Sequence, residues 1–234
     1  MLKKLILLVF IALFAAAPAM AATIVLDFEG VNSTHPSGFA FVQEFYNGGL
    51  SSDGTTGTDY GISFTSNAQA ICLNTLTAGC SNTSRGGQGS PTSQLGALFF
   101  LSGAETFMNV EGGFDTGFSF FYTAINNSGS VSVFDGLNGT GNLLATLNLP
   151  TTTSGPCPGY GAGFCPFFPI GVGFAGIAQS VSFAGVANQI VFDDVTFGSV
   201  IPDPDPSAVP EPASLLLLGT GLAAVARKRL RARK

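Results

Sequence analysis

The chain has 234 residues, 46% of them hydrophobic and only 10% charged, with a formal net charge of −5. Of its nine Lys and Arg residues, six fill the last eight positions, so between Ala22 and Ala208 a single base, Arg85, stands against thirteen acids, a local balance of 1 − 13 = −12. One sizeable domain fits this length, and a nucleic-acid partner is disfavoured because its phosphates would meet a repulsive field.

In chain order, the first element is Met1 to Ala21. Lys3 and Lys4 precede an apolar run from Leu5 to Ala17, and Ala19-Met20-Ala21 forms a small-x-small cleavage site. This is the pattern of a secretory signal helix, removed after Ala21.

From Thr23 to Gly198 the apolar residues alternate with period two. "TIVLDFEG" puts Ile24, Leu26 and Phe28 on one face. "GFAFVQEF" aligns Phe39, Phe41 and Phe45, "YGISF" aligns Tyr60, Ile62 and Phe64, and "GFSFFYTAI" aligns Phe118, Phe120 and Tyr122. "GSVSVFDG", a turn around Asn138-Gly139, and "LLATLNL" follow. Then come "PIGVGFAG", "QSVSFAG" and "NQIVFDDVTFG". The similar "GVGFAG" and "SVSFAG" predict adjacent strands. No window reads as an amphipathic helix. Short strands, Gly-rich turns and abundant Ser, Thr, Asn and Phe predict an all-β antiparallel sandwich or barrel over residues 22–199.

Four cysteines fall as Cys72-x7-Cys80 and Cys157-x7-Cys165. An exported chain meets an oxidising compartment, so disulfides are expected, with three connectivities open. The equal short spacings favour Cys72–Cys80 and Cys157–Cys165, each worth roughly 2–3 kcal/mol in the chain-entropy model. A four-cysteine zinc site competes, although zinc ligands usually sit two to four residues apart.

Residues 200–208, "VIPDPDPSA", alternate Pro with Asp and predict an extended, solvated linker. Residues 209–234 contain an apolar stretch, Ala213 to Ala226, then "RKRLRARK". As a helix this stretch would reach about 21 Å, and flanking arginines extend it by snorkelling into a short transmembrane helix. The basic end stays cytoplasmic. With the signal at the other end, this topology leaves the body outside the inner membrane.

Pro210-Glu211-Pro212, the short apolar helix and the terminal basic cluster together resemble the PEP-CTERM sorting signal. The resemblance implies a Gram-negative exporter, an exosortase-type membrane enzyme as partner and removal of the tail. It also implies a place on the cell surface or in an extracellular polysaccharide or biofilm matrix. The prolines suit a processing site, because they keep it out of the helix interior and extended.

The body resembles the jelly-roll sandwiches of carbohydrate-binding modules, through "DFEG" near its start and "IVFDDVTF" near its end. The resemblance implies neighbouring first and last strands whose acids hold a structural Ca2+. Glu29 and Asp193 would be the ligands, with backbone carbonyls completing six to eight oxygens.

Catalytic signatures are scarce. The single histidine, His35, sits in the loop "NSTHPSG", and G-x-S-x-G is absent. Thirteen body acids offer many pairs for glycoside hydrolysis, and no spacing selects one. Ice binding would need a regular Thr array, and "TTTS" and "NTLTAG" are irregular. A non-catalytic structural or polysaccharide-associated role is therefore expected, with a lectin-like module as the alternative and a secreted glycan-active enzyme behind both. Sugar stacking needs exposed rings. With no Trp present, Tyr46 in "EFYNGG" and Tyr160 in "GPCPGYGAGFC" are the candidates. At −12 the body should prefer neutral glycans to acidic ones.

Overall fold

A computed structural model describes residues 23–32, 38–73, 87–93, 95–152 and 163–204. The signal segment, Cys80, Cys157, Tyr160, the Pro210–Pro212 motif and the C-terminal apolar stretch lie outside these. Among the described residues no helix is long and apolar enough to cross a membrane.

The described residues form two antiparallel sheets, a sandwich consistent with a jelly-roll-like body. In chain order the strands are β1 (Ile24–Leu26), β2 (Ala40–Phe41), β3 (Ile62–Phe64), β4 (Gln69–Ile71), β5 (Ala97–Phe99) and β6 (Glu105–Phe114). They continue with β7 (Gly117–Ala124), β8 (Gly129–Phe134), β9 (Leu143–Leu149), β10 (Phe168–Gly173), β11 (Ala178–Ala184) and β12 (Ile190–Phe197). The first sheet runs β10-β7-β12-β5-β4-β2, with β1 also paired to β12; the second runs β3-β6-β11-β8-β9.

Alternation assigns each strand's faces. Phe118, Phe120 and Phe192 of the first sheet point into the sandwich, where they meet Phe183 of the second. The Phe183 and Phe192 rings are 4.8 Å apart and edge-on, and Phe120 to Phe183 is 6.1 Å. Such pairs add about 0.5–1.5 kcal/mol each beyond the area they bury. Val191, Ala97 and Phe99 point the other way, into a smaller core with Ile71, Leu73, Ile125, Phe164 and Phe167. A parallel bridge joins Gly87 to Phe164 beside this small core. Only glycine fits at 87, because a Cβ there would lie 2.6 Å from the Leu73 carbonyl oxygen and 2.8 Å from that of Phe164. Cys72 and Cys165 are buried beside the same small core, and neither is a free thiol.

Three expectations change. "GVGFAG" and "SVSFAG" are not neighbours: β10 pairs with β7 in one sheet, and β11 pairs with β6 and β8 in the other. "GFAFVQEF" is a strand only at Ala40–Phe41. Gln43 then turns to φ 50°, and the Phe45 and Asn47 N–H groups donate to the Val42 and Glu44 carbonyls, so the chain curls into turns. The linker begins later than Val200. The compact unit runs to Pro204, Pro202 is buried, and the Asp203 N–H donates to Thr196 Oγ1 at 3.0 Å.

Candidate functional site

β12 changes partner partway along one edge. Phe192 faces Leu98 of β5, whereas Val195 to Phe197 face Leu26 to Ile24 of β1. On its other edge β7 runs alongside throughout, but its register slips between Asp193 and Thr196. Asp194 takes φ 48°, a left-handed conformation that Asp tolerates better than most residues. The Asp194 N–H donates to Asp193 Oδ1 at 2.8 Å and Thr196 Oγ1 donates to the Asp194 carbonyl at 2.8 Å, which fixes the bulge. Asp193 and Asp194 are both buried, as is every residue of β12, whose two faces are both covered.

Residues 27–29, 90–93 and 95 lie together where β12 passes from β5 to β1. Asp194 Oδ2 accepts from Ser90 Oγ at 2.7 Å and Thr92 Oγ1 at 2.5 Å. Glu29 Oε1 accepts from the Leu95 N–H at 2.7 Å and from Ser93 Oγ at 2.8 Å; that hydroxyl also lies 3.0 Å from the Asp27 carbonyl. Every Lys, Arg and His of the chain falls outside the described residues. Among the described residues, neutral hydroxyl and amide donors hold these acids.

Burial disfavours the charged forms. Asp193 is pushed well above the usual carboxylate range by burial, with the Asp194 charge adding to it. Its Oδ2 is buried and makes no hydrogen bond. Asp194 is raised by burial, against the pull of Thr92 and Ser90. Asp27 is exposed as a residue, yet burial of its carboxyl outweighs the hydrogen bond from the Glu29 N–H and raises it too, with the Glu29 charge contributing.

The expected calcium ligands, Glu29 and Asp193, lie in this cluster, close enough for their charges to interact. Donors already occupy Glu29 Oε1 and Asp193 Oδ1, and among the described residues no group of three or more His, Cys, Asp or Glu side chains is placed to hold a metal. Calcium takes six to eight oxygen ligands.

The Tyr46 expectation is corrected here. It is only 4% exposed, because turns 42–49 fold its ring into the main core against Phe45 at 4.8 Å and Phe28 at 6.0 Å. Its hydroxyl oxygen accepts the Phe28 N–H at 2.9 Å. Burial, reinforced by the neighbouring Asp27 charge, pushes this phenol well above its ordinary range and keeps it neutral. The exposed ring is Tyr60, which its strand pattern predicts to be core. It is 38% exposed and stacks on Tyr46, the centroids 6.3 Å apart and the planes 26° from parallel. Together they line an open cleft of about 290 Å³ whose other walls include Asp27, Glu29, Thr56 and Thr58. Gly57 completes it, since a Cβ there would overlap the Phe45 ring. The only sequence signal for this cleft is the acid-and-glycine turn "DFEG" and the Tyr spacing across "YNGGLSSDGTTGTDY".

No curated protein matches the chain. Residues 208–231, which include Pro210, Glu211 and Pro212, match the PEP-CTERM protein-sorting motif, the mark of an exported protein that exosortase sorts at the membrane.

Proposed function

We propose that this is a non-catalytic exported protein, delivered through its C-terminal signal to the cell surface or extracellular matrix of a Gram-negative bacterium. There the sandwich acts as a structural or polysaccharide-associated module. The match at residues 208–231 carries the reading. Support for a non-catalytic body comes from the acids themselves: Glu29 and Asp194 accept from fixed donors, and Asp193 is sealed from solvent. We assign Cys72–Cys80 and Cys157–Cys165 as the disulfides, which would pin the loops over the small core. Deleting residues 209–234 tests the sorting. The intact chain should be retained in the surface or matrix fraction, and the shortened chain should not. Identical distribution of the two forms would overturn the proposal.

One observation favours the lectin-like version of this role. The Tyr60 ring stands exposed at a cleft edge, backed by a ring that cannot move, as a stacking surface for a sugar requires.

A further inference from the structure

We propose that the cleft between Tyr60 and the Asp27–Glu29 turn binds one amino-bearing sugar unit, a hexosamine whose nitrogen is a free, protonated amine. This deepens the polysaccharide-associated reading above and rests on it.

Size comes first. At about 290 Å³ the cleft is at the small end of ligand sites, which run from about 300 to 1,000 Å³, so it suits a single ring and not a long segment. The shelf comes second. Tyr60 lies on Tyr46, and Tyr46 is locked by the Phe28 N–H and by its ring neighbours. A ligand that stacks on Tyr60 therefore meets a preorganised aromatic face, whose negative quadrupole favours a cation.

Charge selects among flat ligands. Asp27 and Glu29 flank the cleft, and no base among the described residues offsets them. A neutral sugar would leave the charge of the Asp27 carboxylate at the cleft uncompensated. A divalent metal would have to share Glu29 Oε1 with the Leu95 N–H and Ser93 Oγ that already donate to it. An ammonium satisfies the acids, and the ring that carries it covers Tyr60. The exposed Thr56 and Thr58 hydroxyls are left for the ring hydroxyls. An acidic polysaccharide would be repelled, and a lysine side chain would neutralise the acids without using the shelf.

Calorimetry on the exported protein at low salt decides, with glucosamine tetramer and N-acetylglucosamine tetramer as paired probes. They share ring and linkage and differ in the charge on nitrogen. The free-amine tetramer should bind at least about tenfold more tightly. Asp27→Asn, which keeps an acceptor for the Glu29 N–H, should weaken it about three- to tenfold, as should Tyr60→Ala; Tyr60→Phe should retain it. Equal binding of the two tetramers overturns the ammonium and leaves the polysaccharide reading standing. Binding of neither sinks the cleft as a sugar site. Undiminished binding in Tyr60→Ala would mean attraction to the whole acidic body, and tetralysine binding as tightly as the amine tetramer would mean a peptide site. Either result contradicts the proposal.

Discussion

Asp193 carries a carboxyl into the interior with one oxygen held by the Asp194 N–H and the other unmatched. Its raised pKa makes stability depend on pH with a definite sign. Between the unfolded value, about 3.9, and the higher folded value, the native state holds a proton that the unfolded state has released. Stability therefore falls as pH rises through that window, by up to about 1.4 kcal/mol per pH unit for one such group. Asp194 and Asp27, also raised, act in the same direction. Thermal melts should be higher at mildly acid pH than at neutral pH, and Asp193→Asn should flatten the slope. A variant whose profile runs parallel to the parent's would show that Asp193 is ionised throughout. Chelator should leave the melt unchanged; a fall would place a metal at Glu29 and Asp193. "DFEG" and "FDD" did point to this place. Their chemistry was hidden, because the donors that satisfy the acids, Ser90, Thr92, Ser93 and the Leu95 N–H, come from a stretch some sixty or more residues from Glu29 and about a hundred from Asp194.

At the scale of elements, β12 is the hinge of the first sheet: β7 flanks one edge, and β5 and β1 share the other. Phe192→Ala removes the ring that meets both Phe120 and Phe183 and should cost about 3–5 kcal/mol in urea unfolding. Phe39→Ala, at a ring 44% exposed, should stay within about 1 kcal/mol. Comparable losses at the two sites would contradict the assigned core. Period two located β7, β8, β11 and β12 because their inward residues are large and regular. It missed β6, the longest strand, although Thr106, Met108 and Val110 all point inward. A polar Thr at one inward site and Gly112-Gly113 near the end blur that alternation. The likeness of "GVGFAG" to "SVSFAG" misled for a related reason. Short Gly-rich strands specify their own pleat well and their partner poorly. Tyr46 was misplaced because loop composition says nothing about which way a compact turn folds its ring.

Across the whole molecule, the first and last strands are paired, Ile24 opposite Phe197, so the start and end of the sandwich lie side by side in one sheet. The C-terminal motif was the most legible part of the sequence, because a charge cluster, a proline pair and an apolar run act through composition and order alone. The ligand of the body was the least legible, since it depends on which rings the fold leaves outside. Non-reducing peptide mapping should find Cys72 with Cys80 and Cys157 with Cys165, and crossed pairs would refute that assignment. The central claim is that the chain is exported and sorted through its tail, and the intact mass of the extracellular protein tests it most directly. The account predicts a species that lacks residues 1–21 and ends near Pro210-Glu211-Pro212; an extracellular mass that still includes "RKRLRARK" would contradict it.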